Sequence, residues 1–273
     1  MIYAGLDVGS RTIKLVVFDD DIRDSIVLDT GANPLRRCQE LLANRSYKRL
    51  VVTGYGRYLV TRALGGDTVS EITAHAIGAR HLYPDCRAVI DIGGQDSKVI
   101  LLSEKGEVQK FGMNDRCAAG TGKFLEMMAN TLEVSIDELG DFALSASKMV
   151  RINNLCTVFA ESEVISLIAR GEESSAIAWG LHEAIATRIA GMVRRTGFRK
   201  RVVFAGGAAL NKCLRQLVGE KLVVELTVPH EPQIVGALGA ALLAKQEDRQ
   251  HRLIVKLPGA HFNDKEVSCG ERT

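Results

Sequence analysis

The feature that most constrains the fold is a pattern that occurs twice. Residues 5–17 read GLDVGSRTIKLVV and residues 89–101 read VIDIGGQDSKVIL. Laid over each other, the segments match at Asp7 and Asp91, at Gly9 and Gly93, and at Lys14 and Lys98. Each is an apolar strand that ends in aspartate, a glycine-containing turn and a second apolar strand, which is typical of a β-hairpin. The sequence therefore predicts the same hairpin used twice.

The chemistry of these turns favours phosphate. A glycine turn lets backbone N–H groups approach an anion closely, and Ser10 and Thr12 add hydroxyl donors. An aspartate at the strand end holds Mg²⁺ directly or through water, since magnesium keeps several of its waters. Two such hairpins facing each other would grip a triphosphate from both sides. The alternative is two ordinary hairpins in which Asp-x-Gly only makes a turn.

A third segment supports a nucleotide cleft. Residues 201–205 predict a short strand, followed by Gly206, Gly207 and a helix over about 208–218. This order puts backbone amides and a helix N-terminus beside a ligand. Asn211, one turn further on, is a candidate partner for a base or ribose. Alone the signal is weak, because strand–glycine–helix turns are common in α/β proteins.

Hydrophobic periodicity predicts an α/β order along the chain. Strands are expected near 2–8, 12–19, 49–53, 87–92, 97–103, 201–205 and 222–226, and helices near 34–45, 70–81, 119–133, 157–170, 174–195, 208–218 and 233–245. Residues 246–273 are polar and unpatterned and predict a tail of unknown role, within which RLIVKL resembles a stray edge strand.

Composition excludes several classes of protein. The 273 residues are 46% hydrophobic with a net charge of +2, which gives no case for a nucleic-acid or membrane partner. The N-terminus enters an apolar strand without a signal sequence, so we expect a cytoplasmic protein with reduced cysteines. None of the six cysteines forms C-x-x-C, and no histidine lies at zinc-finger spacing from them.

One stretch, NDRCAAGTGKFLE at 114–126, resembles a damaged phosphate-binding loop. The pattern G-x-x-x-x-G-K-[S/T] fits Gly122 and Lys123, but Cys117 replaces its first glycine and Phe124 its magnesium-binding hydroxyl. Because the paired hairpins already provide a phosphate grip, this segment is free for another task. Its glycine and lysine are still expected to contact the nucleotide, with Glu126 reaching the ribose.

Together these segments resemble a known family. The duplicated hairpins and AGGAA are similar to the acetate kinase, sugar kinase, Hsp70 and actin superfamily of ATPases. More narrowly, DVGSRTIKLVV, TGYGR, EITAHAIGA, DIGGQDSK, NDRCAAGTGKFLE, NNLCTVFAESEVISL and FAGGAALNK resemble the ATP-dependent activators of 2-hydroxyacyl-CoA dehydratases and their benzoyl-CoA reductase relatives. The likeness spans about residues 1–245 and leaves out the tail.

The resemblance implies a duplicated, ribonuclease H-like, two-lobed fold with a nucleotide cleft between the lobes. Residues 1–84 would form the first lobe and 85–245 the second, which carries a cluster-binding segment at 113–170. It also implies a homodimer that shares one [4Fe-4S] cluster, with Cys117 and Cys156 as the ligands from each chain. ATP hydrolysis would then drive a low-potential electron to a partner. That partner is a 2-hydroxyacyl-CoA dehydratase or a double-cubane-cluster reductase, and ferredoxin or flavodoxin reloads the cluster.

The positions of these two cysteines in the sequence also favour this role. Each precedes a predicted helix, where the dipole and free N–H groups would stabilise a thiolate. A cubane needs four thiolates, so a two-fold dimer would complete the set. The alternative is that each is a small buried hydrophobe. Cys38, Cys86, Cys213 and Cys269 are interpreted as structural or incidental.

For hydrolysis we expect positioning and electrostatics to dominate. Asp7 and Asp91 would organise Mg²⁺ and water, and either Gln95 or Asp96 would orient the attacking water. The remaining predicted nucleotide contacts are Gly9, Ser10, Arg11, Thr12, Lys14, Gly93, Gly94, Gly122, Lys123, Glu126, Gly206, Gly207 and Asn211. Lys98 is expected to make only a surface pair, and His75 to be a packing, capping or functional residue.

Two other functions stay open. One is a small-molecule kinase of the same superfamily, acting on a sugar, although the cysteine motifs occupy the segment where a kinase would place its sugar pocket. The other is an ATP-dependent scaffold without redox chemistry, in which the cysteines only pack.

Overall fold

The computed structural model describes residues 1–153, 156–197 and 199–256 of the chain. Its first half contains strands β1 Tyr3–Val8, β2 Thr12–Phe18, β3 Ile22–Asp29, β4 Arg49–Thr53 and β5 Asp67–Thr68, with helices α1 Pro34–Leu42, α2 Arg57–Leu64 and α3 Glu71–Leu82. The second half contains β6 Ala88–Ile92, β7 Ser97–Leu102, β8 Val108–Asn114, β9 Val202–Ala205 and β10 Leu226–Thr227, with α4 Gly122–Thr131, α5 Leu139–Leu144, α6 Thr157–Ala169, α7 Ser174–Thr196, α8 Lys212–Leu222 and α9 Val235–Lys256.

The two halves have the same sheet topology. The first sheet runs in the order β3-β2-β1-β4-β5 and the second in the order β8-β7-β6-β9-β10. In each, the first three strands along the chain are antiparallel neighbours and the next two are added in parallel. The matched hairpins are therefore β1–β2 and β6–β7, as predicted, and the duplication extends to whole five-stranded sheets.

The predicted strands in both hairpins and in β4 and β9 are confirmed to within one residue at each end. Strands β3, β5 and β8 and helices α2 and α5 were not predicted. The strand expected at 222–226 is wrong, because α8 continues to Leu222 and only Leu226–Thr227 pairs with β9. Helix α4 begins at Gly122 rather than 119, after Gly120, which has a φ of +88°. Helix α8 begins only at Lys212, because the Asn211 side chain caps it.

The C-terminal helix differs most from expectation. Helix α9 includes residues 252–256 of RLIVKL and is described as far as Lys256, so an edge strand over these residues is wrong. Residues 257–273 of the predicted tail lie outside the described residues. None of the helices in the described ranges is long and apolar enough to cross a membrane.

The halves of the chain exchange one helix each. Helix α3 packs on the second sheet, where Ala76 and Ala79 lie in one apolar cluster with Val89 and Ile100. Helix α9 packs on the first sheet, where Ala237 and Ala241 lie in one apolar cluster with Val16 and Phe18 on β2. Most buried residues of 233–245, predicted to belong to the second lobe, therefore pack against the first, whereas Val235 joins the apolar cluster of the second sheet. Their small side chains allow this close contact.

The exchanged helices cross each other with their backbones in close contact. A β-carbon on Gly78 of α3 would lie 2.0 Å from the Val235 carbonyl oxygen, and one on Gly239 of α9 would lie 1.8 Å from the Ala74 carbonyl oxygen. Neither oxygen belongs to a side chain that can rotate away. The crossing therefore requires glycine at both positions.

Gly239→Ala is accordingly expected to lower the free energy of unfolding by about 2–3 kcal/mol, since the helices must separate to admit a methyl group. Urea unfolding followed by circular dichroism measures it. The matched control is Gly191→Ala in α7, where the nearest atom to the new methyl would be Arg195 Nη1 at 3.5 Å. That change should leave stability equal or slightly raised. Equal stabilities for Gly239→Ala and wild type would contradict the tight crossing.

Candidate functional site

The turns of the two hairpins face each other in a cleft of about 470 Å³ between the sheets. In the first turn the Gly9 N–H donates to the Thr12 carbonyl at 3.1 Å, and in the second the Gly93 N–H donates to the Asp96 carbonyl at 3.0 Å. The turns also touch, because a β-carbon on Gly94 would lie 2.7 Å from Arg11 Cβ. The repeat in sequence is thus a pair of matching turns around one cavity.

Most of the predicted nucleotide-site residues line this cleft. They are Asp7, Gly9, Ser10, Arg11, Thr12, Lys14, Asp91, Gly93, Gly94, Asp96, Gly122, Glu126, Gly206, Gly207 and Asn211. Gln95 and Lys123 are absent from the lining. Gln95 is exposed, and the Lys123 side chain is 62% exposed and pairs with Glu126 at 3.6 Å. The chain therefore gathers the hairpin and glycine residues as predicted and leaves these two outside.

The first hairpin presents one ion pair. Lys14 Nζ lies 3.1 Å from Asp7 Oδ2, and both side chains are mostly buried. The two residues are opposite each other in the antiparallel register of β1 and β2, which holds them side by side. Asp7 keeps its second oxygen, Oδ1, out of this pair.

The second hairpin holds a denser charge cluster. Lys98 Nζ lies 2.6 Å from Asp96 Oδ1, 2.7 Å from Glu71 Oε2 and 3.3 Å from Asp91 Oδ2. Its side chain is only 3% exposed, so the predicted surface pair is wrong. Although burial lowers the pKa of Lys98, the surrounding carboxylates outweigh it and raise the pKa. For Glu71, burial has the largest effect and raises the pKa of this carboxyl above its usual range.

His75 completes this cluster from α3. Its Nε2 lies 3.3 Å from Asp91 Oδ1, and its Nδ1 lies 2.9 Å from the Glu71 carbonyl oxygen. Burial lowers the pKa of His75, but the Asp91 charge has the larger combined effect and raises the pKa to about 9. Both ring nitrogens then donate at neutral pH. Burial opposes ionisation of Asp91, yet His75 and Lys98 hold its pKa well below its usual range.

The duplication also includes a pair of glycines, of which only Gly206 was predicted to line the site. Thr53 pairs with Asp7 as Ala205 pairs with Asp91, so Gly54 and Gly206 are equivalent. Both have positive φ, and a β-carbon on either would lie 2.6 Å from Oδ1 of the neighbouring aspartate. Gly54 is therefore the first-lobe counterpart of the predicted Gly206.

Glu71 was not predicted as a site residue, and for His75 a packing, capping or functional role was expected. Both fall on one face of α3, four residues apart, and both line the cleft. The available signal was the helix start at Glu71 after the capping Ser70, which aims the first turn of α3 at the second hairpin. Sequence alone did not reveal that α3 packs on the second sheet.

Two predicted contacts are engaged within the protein. Glu126 Oε1 accepts from Arg11 Nε at 2.7 Å, which joins the first hairpin to α4 across the cleft. Asn211 Oδ1 accepts the Leu214 N–H at 2.9 Å, and its Nδ2 lies 2.9 Å from His182 Nε2. Burial lowers the pKa of His182, so its neutral ring can accept from Asn211. Nucleotide contacts by Glu126 and Asn211 stay predictions.

The segment with Cys117 is tied to the second turn. The N–H groups of Gly122 and Lys123 donate to the carbonyls of Gly93 and Gly94 at 2.9 and 2.8 Å. Cys117 lies before the Thr121 cap of α4, with its carbonyl accepting from Asn114 Nδ2 at 2.8 Å. The expectation of a Cys117 thiolate at a helix N-terminus is therefore wrong, because the first amides of α4 serve the hairpin.

Cys156 does lie at a helix N-terminus. It is the N-cap residue of α6 and is exposed, and Cys117 is half-buried. Cys38, Cys86 and Cys213 are buried, and burial raises the pKa of their thiols to about 11, 11 and 12. Cys269 lies outside the described residues. Among the described cysteines, Cys117 and Cys156 are thus the accessible pair.

Within the described residues, neither the cleft nor the pair of accessible cysteines is a complete metal site by itself. No group of three or more histidine, cysteine, aspartate or glutamate side chains arranged to hold a metal ion occurs within the described ranges. A cation in the cleft would need oxygens from a ligand or water, which suits Mg²⁺ bound to phosphates. Two cysteines per chain are half of a cubane's ligands.

Known proteins resemble this chain over most of its length. The profile of the BadF/BadG/BcrA/BcrD ATPase family matches residues 4–244. The (R)-2-hydroxyglutaryl-CoA dehydratase activating ATPase of Acidaminococcus fermentans is 41% identical over 250 residues, covering 88% of this chain and 95% of that protein.

Two solved structures are similar to this chain. The activator of the 2-hydroxyisocaproyl-CoA dehydratase from Clostridium difficile with bound ADPNP matches with a TM-score of 0.87 at 40% identity, over 95% of this chain and 100% of that one. A ROK family glucokinase from Streptomyces griseus in complex with glucose and AMPPNP matches with a TM-score of 0.56 at 13% identity, over 90% of this chain and 100% of that one. The second likeness concerns the fold alone, and it confirms the predicted two-lobed fold of the sugar kinase type.

Proposed function

The chain belongs to the BadF/BadG/BcrA/BcrD ATPase family, and from this premise we propose that it is an ATP-driven iron–sulfur electron donor to an enzyme acting on a CoA thioester. The observation that carries the proposal is the connection between the two sites. The turn that faces the nucleotide cleft accepts the first two N–H groups of α4, and the segment holding Cys117 leads directly into that helix.

The nucleotide would lie between the paired turns. The Gly94 backbone N–H, with the hydroxyls of Ser10 and Thr12, suits the phosphate oxygens, whereas the N–H groups of Gly9 and Gly93 close their own turns. Lys14 adds a cation, and Gly206 and Gly207 admit the nucleoside side of the ligand closely. ATP and ADP fit this arrangement because they differ at the phosphate that two opposed turns would share.

Asp7 and Asp91 would hold Mg²⁺, through its waters where needed. Asp91 has one oxygen on His75 and the other on Lys98, whereas Asp7 has Oδ1 outside its lysine pair. We therefore assign the more direct contact with the hydrated ion to Asp7. Of the two candidates for orienting water, Asp96 lines the cleft and Gln95 does not, which favours Asp96.

The accessible cysteine pair fits one [4Fe-4S] cluster in a homodimer. Thiolates are the usual ligands of such clusters, and two chains related by a two-fold axis would provide four. The buried cysteines hold their protons and are enclosed in the core, so they suit packing instead. The bound cluster would supply a one-electron carrier of low potential.

Coupling would follow from the hydrogen bonds between the second turn and α4. A change at the γ-phosphate moves the turn, and the Gly122 and Lys123 amides carry this motion to the Cys117 segment. Differential contacts in the ATP and ADP states would thus alter the exposure of the cluster. The receiving enzyme is a 2-hydroxyacyl-CoA dehydratase or a double-cubane-cluster reductase, with ferredoxin or flavodoxin as the electron source.

Anaerobic purification tests this function. The expected protein is brown, with a broad visible absorbance that bleaches on reduction, about four irons per dimer, and an ability to activate such a dehydratase only with ATP. A colourless protein after full iron and sulfide reconstitution would overturn the proposal. ATP-dependent phosphorylation of added sugars would instead support the kinase alternative, and ATP hydrolysis with neither property would support the scaffold.

A further inference from the structure

His75 touches both the nucleotide site and the crossing of the exchanged helices. On one side its Nε2 contacts Asp91 Oδ1 at 3.3 Å. On the other side its ring lies against Gly236 of α9, where a β-carbon would be 2.8 Å from Cε1 and 3.3 Å from both ring nitrogens. The imidazole is buried, so it has little space in which to move away from either contact.

The backbone contacts of the crossing are adjacent to this histidine. Ala74 precedes it and lies against Gly239, and Gly78 follows it by one turn and lies against Val235. The position of the ring is therefore fixed by both helices. Helix α3 packs mainly on the second sheet and α9 mainly on the first. A change in the angle between the lobes must pass through this crossing, because it is where the exchanged helices meet.

The equivalent aspartate of the first hairpin has no such connection. Within the described ranges, Asp7 forms its ion pair with Lys14 alone. Asp91 has the matching lysine, Lys98, and the histidine in addition. The histidine is thus an addition to the repeated hairpin design, found only on the side of the cleft where α3 and α9 meet.

We propose that His75 is a positioning residue that links the geometry of the α3–α9 crossing to Asp91, so that the site reaches its productive arrangement only at one lobe angle. The ring acts as a spacer between the Gly236 backbone and the Asp91 carboxylate. This inference rests on the nucleotide-binding part of the proposed function and is independent of the iron–sulfur chemistry.

A double-mutant cycle tests the link. Gly236→Ala should push the ring off Asp91 and lower kcat for ATP hydrolysis about tenfold, with KM changed much less, because the two positions are in contact. His75→Ala should lower kcat similarly. In the His75→Ala background, Gly236→Ala should have no further effect, since no ring remains to be displaced.

The control is Gly191→Ala in α7, which adds the same methyl to a helix away from the cleft and should leave kcat unchanged. Equal effects of Gly236→Ala in both backgrounds, or no effect in the wild type, would overturn the inference. His75→Asn replaces His75→Ala if the latter does not fold, because asparagine also lacks the displaced Cε1 atom. If the wild type does not hydrolyse ATP, the proposed function fails by itself. The same cycle is then measured on binding of Mg²⁺-ADPNP, where additivity again overturns the link.

Discussion

Cys117→Ser and Cys156→Ser are each expected to remove all cluster iron and all activation of a partner dehydratase. A serine hydroxyl does not supply the thiolate that iron requires. In a two-fold dimer, one substitution removes two of four ligands, so each single variant should lose the cluster entirely. ATP hydrolysis should stay within about twofold of wild type, because neither cysteine lines the nucleotide cleft and the hydrogen bonds from α4 to the second turn are kept. Iron and sulfide content, visible absorbance and dehydratase activation measure the result.

The matched control is Cys213→Ala. Its thiol is fully buried in the second-lobe core beside Leu214 and Val218, and burial raises its pKa to about 12. This variant should retain full iron content while losing some stability through the cavity it creates. A Cys117→Ser protein with wild-type iron content would exclude that residue as a ligand. Loss of iron in Cys213→Ala, with the protein still folded, would contradict the assignment of ligands by exposure.

The fold was predictable to the extent that local pattern repeats itself. The matched hairpins predict β1, β2, β6 and β7 because alternating apolar residues and a glycine turn specify a hairpin locally. Strands β3 and β8 escaped because they are edge strands with mostly exposed or half-exposed residues, which leaves little hydrophobic pattern. The exchange of α3 and α9 is a tertiary property that no local window contains.

The site residues also fall into two groups, those that a local turn places and those that tertiary packing brings to the cleft. Residues fixed by the hairpin turns, such as Asp7, Gly93 and Asp96, lie in the cleft as expected, because a turn places its own residues. Lys98 was misjudged since its burial depends on Glu71, which arrives from another element. His75 and Gly54 also reach the cleft only through the packing of α3 and β4. The cysteines were identified by resemblance, and the structure adds their exposure.

The second large effect concerns Lys98. Lys98→Met should lower the free energy of unfolding of the nucleotide-free protein at pH 7 by about 3–5 kcal/mol, the usual result of removing one partner from a buried ion pair. The lysine is the shared partner of Glu71, Asp91 and Asp96, and its side chain is 3% exposed. Methionine fills a similar volume, so the loss reflects charge rather than a cavity. Urea unfolding at several pH values measures it.

The internal repeat provides a matched control, since Lys14→Met makes the same change in the first hairpin. Lys14 contacts one carboxylate and its side chain is 15% exposed, so a loss of about 1–2 kcal/mol is expected. The pH dependence has a definite sign. Burial already raises the folded-state pKa of Glu71, and removing Lys98 takes away the charge that opposes this rise, so the variant binds more protons when folded and gains stability as pH falls. In the wild type the pKa of Asp91 is lowered, so its contribution is present above the unfolded value and is lost only as pH falls below it. Between pH 7 and pH 5 the deficit of Lys98→Met should therefore shrink, and a deficit that grows on acidification would contradict the buried charge cluster.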